Sequence, residues 1–322
     1  MALIRSTGLV LTLSFGLAAS AASAQTVGFG STPGGGWTNS AANAIAKVVV
    51  ENTKIKMRVQ PQGSQPLNNV NADVVQFGIA NTYDSSFFRT GTGFYEGNGE
   101  KKNLRVAAVL APLYGALYVR KDSDMKTIKD IKGKRVSSEF SAQKSVRQSM
   151  TGLLANGGLT WNDVVGVPAP TVPRSAQDFM AGKTDILYFA LGSALVIQAA
   201  AKVGGLRVLQ LDNSPEALKR LTDFLPGSGV ELVQPGKGRE GLDVPTQVLR
   251  NYMLINTNSK VSDDTVYQVL KAIHDHKQQM ISTFPGLRGF NPTGMYKPVP
   301  GMEYHPGAIK FYKETKQWQG AS

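Results

Sequence analysis

Ser31, Thr32 and the run Gly34-Gly35-Gly36 are the residues best suited to hold a charged ligand, and they fall in one short stretch. An apolar run, Val27 to Gly30, precedes them; Ala41, Ile45, Val48 and Val49 follow at helical spacing. The stretch therefore reads as a strand, a glycine-rich loop and a helix start. Glycine lets backbone N–H groups come close to a bound group. A helix N-terminus adds unpaired donors in a positive field. The chemistry this implies is anion binding through backbone dipoles and hydroxyls, with phosphate and carboxylate equally suited. A tight strand-to-helix turn without a ligand would use the same residues. Two nucleotide-binding readings fail on detail. No Lys follows the glycines, as a phosphate loop of the GxxxxGK type needs. The run after Gly30 is Ser31-Thr32-Pro33-Gly34, which is not a dinucleotide fingerprint, and the second strand ends in Gln60 where an acid is wanted.

Reactive groups are scarce elsewhere. His274 and His276 are two apart on a helix and point to different faces. His305 sits in Tyr304-His-Pro-Gly307, a helix-entry turn. The chain has no cysteine, which excludes soft-metal sites and disulfides. Ser141-Ala-Gln-Lys144 matches the SxxK pattern of serine hydrolases, but the SDN and KTG partners are missing. No nucleophile–base pair, metal ligand set or cofactor motif emerges. Residues that can hold an anion, with none to transform it, imply a binding role without turnover. An exported hydrolase and a structural or adhesive surface protein are the competing classes.

The N-terminus sets the compartment. Arg5, the apolar run Leu9 to Ala19 and the small-x-small triplet Ala22-Ser23-Ala24 form a secretory signal peptide, residues 1–24, with cleavage expected after Ala24. No later run approaches the roughly 20 apolar residues of a membrane span. A soluble, periplasmic product of about 300 residues is expected, long enough for two domains. The formal charge of +12 permits acidic ligands, but the basic residues are scattered, and no Lys/Arg block carries the interleaved aromatics of a nucleic-acid groove.

The elements that must position these residues alternate between strand and helix, which predicts an α/β fold with mostly parallel sheets flanked by helices. Strands are expected at Ile55–Gln60, Val74–Ala80, Val106–Leu110, Leu117–Arg120, Arg135–Ser138, Asp185–Ala190, Leu206–Leu211 and Gln247–Ile255. Helices are expected at Ser141–Asn156, from Ser175 to Gly182, from Ser262 to Phe284, and at Gly307–Gln317. The charged run Lys121–Lys134 reads as the entry to a second lobe, and Leu225–Asp243 as irregular. Asn71-Ala-Asp73 and Lys183-Thr-Asp185 each lead into an apolar strand, one per lobe.

With these pieces in place, the sequence resembles the TAXI subfamily of substrate-binding proteins of tripartite ATP-independent periplasmic (TRAP) transporters. The matching segments are Gly28 to Gly35 with Ala44 to Lys47, Tyr118 to Asp122 followed by Ile128 to Val136, Leu153 to Leu159, Val261 to Asp264, and Tyr304 to Lys310. The resemblance implies a two-lobed, type II-like periplasmic binding fold with its ligand in the interlobe cleft. Lobe 1 would comprise residues 25–115 and 253–322, and lobe 2 residues 116–252, with hinge strands near 113–120 and 247–256. It implies a TRAP membrane permease as partner, a glutamate-like amino acid or dicarboxylate as ligand, no cofactor and a monomer. The family's site maps here to Ser31, Thr32 and Gly35 of the first loop and to Asn81 and Tyr83 at the third strand's exit. In the second lobe it maps to Ser138, Ser141, Gln143 and Lys144, with Phe189 and Gly192 on the wall. The second-lobe loop, usually glycine-rich, here reads Glu139-Phe-Ser-Ala-Gln-Lys144, and Trp37 stands where Tyr is usual. Lys144 could equally be a solvated helix lysine, and Trp37 a packed core aromatic. The tricarboxylate-type binding proteins share the Pro-Gly-Gly-Gly loop and are the nearer alternative.

Overall fold

The computed structural model describes residues 26–31, 37–62 and 66–320. In chain order its elements are β1 (Thr26–Ser31), α1 (Trp37–Asn52), β2 (Lys56–Pro61), α2 (Pro66–Asn71), β3 (Phe77–Asn81), α3 (Thr82–Thr90), β4 (Leu104–Arg120), β5 (Arg135–Glu139) and α4 (Lys144–Asn156). Then come β6 (Val165–Ala169), α5 (Val172–Met180), β7 (Leu187–Ala190), α6 (Ala194–Val203), β8 (Leu206–Val208), α7 (Pro215–Phe224), β9 (Gly229–Val233), β10 (Thr246–Asn258), α8 (Asp263–Asp275), α9 (Lys277–Thr283) and α10 (Pro306–Glu314). The expected signal peptide and the loop holding Thr32 and Gly35 lie outside the described residues.

Two long strands organise the molecule. β4 has 17 residues and β10 has 13, and they pair antiparallel from Leu249 opposite Gly115 to Asn258 opposite Leu104. Among the described residues the main sheet runs β2-β1-β3-β10-β4-β7, with β8 also on β4 and β9 also on β10; β5 and β6 form a separate pair. A bridge between Val136 and Ile186 ties that pair to the start of β7. The α/β class is as expected. The sheet is mixed: β1, β2 and β3 run parallel, whereas every strand paired with β4 or β10 runs antiparallel to it. Chain crossings through one strand pair impose that reversal, and a residue pattern cannot report strand direction.

Apolar burial falls on either side of this ladder. One core packs α1, α8 and α10 on β1, β3 and the first half of β4, with Phe29, Ile45, Val48, Leu254, Leu270 and Tyr312 buried. α1 turns Ala41, Ala42, Ala44 and Ala46 inward, small residues that let the helix lie close to the strands. Two further cores fill the part built on the second half of β4, around Leu153, Leu221 and Leu249 and around Tyr118, Phe179 and Val196. Burying each such large side chain contributes roughly 1.5–3 kcal/mol.

Several elements differ from expectation for identifiable reasons. The two strands read as Val106–Leu110 and Leu117–Arg120 are one, because Pro112 and Gly115 do not break β4. Pro112 lacks an N–H, but it lies beside the register shift at Met253/Leu254, where the ladder is already interrupted. The helix read from Ser262 to Phe284 is two, broken at His276 (φ −119°, ψ 37°). α3, α6, α7, β6 and β9 have no counterpart among the expected elements. His305 is an N-cap and accepts from Gly307 N through Nδ1 at 3.1 Å, while its Nε2 meets the Val261 carbonyl at 3.0 Å. This clamps α10 to the start of α8, and burial holds the imidazole pKa below its usual value.

Candidate functional site

In the first half, β1 and β3 are parallel neighbours, so Ser31 and Asn81, their last residues, emerge at the same edge of the sheet. Ser31 is fully buried, and its Oγ accepts from Asn39 Nδ2 of α1 at 2.9 Å, fixing the strand exit to the helix. Trp37 opens α1 and packs edge-on against Phe284, with ring centroids 5.7 Å apart. That contact packs its half-buried ring against the core. Asn81 caps α3, its Oδ1 accepting from Asp84 N at 2.8 Å.

In the second half, β5, β6 and β7 run parallel and release their loops at one edge as well. The loop after β5 is unusual. Glu139 (φ 68°) and Phe140 (φ 45°) are consecutive residues in the left-handed region that favours glycine. Phe140 N donates to Ser138 O and to Ala169 O, both at 2.9 Å, and the ring is buried completely. The next residues are stitched to the β6 loop: Ala142 N donates to Pro170 O at 3.2 Å, and Gln143 Oε1 accepts from Val172 N at 2.7 Å. Strain of this kind persists only where surrounding contacts over-determine it, and it gathers at binding loops. It places Ser141, Gln143 and Lys144 exposed at the head of α4. Ser138 is buried over Gly166 of β6, so it lines the strand and does not project from the loop. Phe189 is half-buried on β7, opposite Ala116 of β4, and Gly192 (φ 76°) turns the chain into α6. Sequence reasoning missed Thr171, whose Oγ caps α5 from Arg174 N at 3.3 Å beside this loop. A Thr two residues before Pro173 was the available signal.

The halves meet through Tyr83. Its ring is buried, its hydroxyl donates to Ser145 O at 3.0 Å, and it shares a 2.8 Å hydrogen bond with Ser149 Oγ, both on α4. Burial drives the phenol pKa far up, so this hydroxyl stays protonated. Tyr83 therefore ties α3 to α4, with its polar atom already satisfied by protein. One residue on, Asp84 accepts from Tyr95 Oη at 3.0 Å, and burial pushes its carboxyl up to about 6. Among the described residues no cluster of three His, Cys, Asp or Glu is placed to hold a metal, and no helix is long and apolar enough to cross a membrane.

The structure thus sets two groups of strand-exit loops about a shared strand pair, which is the architecture of the periplasmic binding proteins. The chain matches a structure described as that of a periplasmic transporter at 14% identity and a TM-score of 0.55, over 92% of this chain and 94% of that one. It also matches a periplasmic sulfonate-binding protein from Methylobacillus flagellatus at 14% identity and a TM-score of 0.50, over 90% and 87% of the two chains. The chain belongs to the NMT1-like family, whose model matches residues 29–315.

Proposed function

We propose that this chain is an extracytoplasmic solute-binding protein that captures a small organic anion between two lobes and delivers it, unchanged, to a membrane permease. The observation that carries this reading is the paired arrangement of strand-exit loops, those of β1 and β3 on one side and β5, β6 and β7 on the other, about β4 and β10. Open α/β sheets bind ligands outside the carboxyl ends of such strands. Lobe 1 is taken as 25–115 with 253–322 and lobe 2 as 116–252, hinged where β4 and β10 cross. Ser31, Thr32, Gly35 and Asn81 would face the ligand from lobe 1, with Ser141, Gln143, Lys144 and Gly192 from lobe 2. Backbone donors and hydroxyls would meet the charge. The sequence resemblance favours the TRAP type of permease and a glutamate-like or dicarboxylate ligand, after export to the periplasm. The sulfonate-binding neighbour adds a sulfonate to the candidates. A thermal-shift screen of L-glutamate, succinate, citrate and taurine tests the reading. A ligand at 100 times its Kd adds about 2.7 kcal/mol of stability. No saturable shift, or catalytic consumption of the ligand, would sink it.

A further inference from the structure

A pocket of about 330 Å³ opens on the edge of β10, and none of the residues nominated from the sequence lines it. β3 leaves this edge at Met253 and β9 pairs it only up to Arg250, so Asn251 and Tyr252 lie in a notch between the two strands. Thr82 from the head of α3, Gly227, and Lys297 to Val299 close the notch.

Two cationic side chains, Arg250 and Lys297, line this pocket. Arg250 Cζ stands 4.4 Å from the Tyr252 ring centroid and Lys297 Nζ stands 5.1 Å from it. Both cations stand against the Tyr252 ring, which brings two positive charges to the lining of one pocket. Arg250 Nε lies 3.4 Å from a Glu231 carboxylate oxygen, and the other Glu231 oxygen accepts from Tyr114 Oη at 2.6 Å. Lys297 has no carboxylate partner among the described residues, and Tyr304 Oη holds its backbone on both sides, N at 3.2 Å and O at 2.7 Å. Independently, Thr82 is 2% exposed, lines the pocket, and its Oγ1 is buried without a hydrogen-bond partner. Such an orphan hydroxyl is costly unless a ligand satisfies it.

We propose that this pocket binds a small organic carboxylate, held by Arg250, Lys297 and the Thr82 hydroxyl, as a second site in the β10 notch that abuts the exit of β3. The test is calorimetric titration of the full chain with succinate, using wild type, Thr82→Val and Lys297→Met. Lys310→Met is the control, because Lys310 stands over Tyr267 at the same 5.1 Å but outside the pocket. We expect a binding event weakened about tenfold by each pocket variant and unchanged by the control. Thr82→Val removes only an unpartnered hydroxyl, so its urea midpoint should hold or rise; a fall would show a structural partner and overturn the assignment. Wild-type affinity in both pocket variants, absence of any event, or tighter binding of inorganic phosphate than of succinate would also overturn it. Ser141→Ala separates the two sites: an event lost there and kept in both pocket variants belongs to the strand-exit loops and removes the pocket.

Discussion

Asp84 makes a stability experiment with a definite sign. Its carboxyl lies in the first turn of α3, and burial raises its pKa from 3.8 to about 6, partly offset by the Tyr95 hydroxyl. The folded state therefore binds the proton more tightly than the unfolded chain does. The group imposes no penalty below about pH 3, where both states are protonated; stability is lost as pH rises from there through about 6 and the loss is complete above it. A displacement of about two pH units corresponds to at most roughly 3 kcal/mol. The side chain is partly exposed and the helix N-terminus favours the anion, so about 1–2 kcal/mol is the expected size. Asp84→Asn keeps an acceptor for Tyr95 and cannot ionise. Urea unfolding should find it more stable than wild type by that amount at pH 7.5 and equal to it near pH 3. A difference that does not change between these pH values, or a destabilised variant at pH 7.5, would refute the argument.

Three further substitutions bear on the frame. Tyr83→Phe should cost about 1 kcal/mol in urea unfolding, since Ser145 O keeps a donor in Ser149 Oγ at 3.2 Å; a tenfold loss of ligand affinity with unchanged stability would instead make Tyr83 a ligand contact. Glu139→Gly should raise stability by about 0.5–1 kcal/mol by releasing a left-handed side-chain residue, and a lower melting temperature would contradict this. Gly307→Ala should cost at least about 2 kcal/mol, because the new Cβ would sit 2.2 Å from Asp263 O, a backbone atom that cannot move aside alone; an unchanged Tm would show that α10 is loosely docked.

The sequence was informative where chemistry repeats along the chain. The α1 face, the Asp-rich start of α8 and the strand leading to Asn81 are legible because spacing and capping residues announce them. Strand direction and long-range pairing left no such trace, so β4 read as two strands and the sheet as mostly parallel. The candidate site divides the same way. Ser31 and Asn81 are marked by their place at strand ends. The strained Glu139-Phe140 turn is invisible, since neither residue type advertises a positive φ. Tyr83 looked like a ligand contact because it follows a strand exit, but its side chain turns to α4, a choice made by packing across more than 60 residues of sequence. Arg250 was passed over inside an apolar strand, although a charge there was the one available sign of the notch.

The central claim is that one small organic anion is held by loops of both lobes. Calorimetric titration of Thr32→Val and Ser141→Ala with the tightest ligand of the screen tests it most directly. Each variant removes one hydroxyl, from the first loop and from the turn before α4. A hydrogen bond to a charged group is worth about 1.5–3 kcal/mol, so each should weaken binding roughly tenfold to a hundredfold at unchanged stoichiometry. Wild-type affinity in either variant would contradict a ligand shared between the lobes.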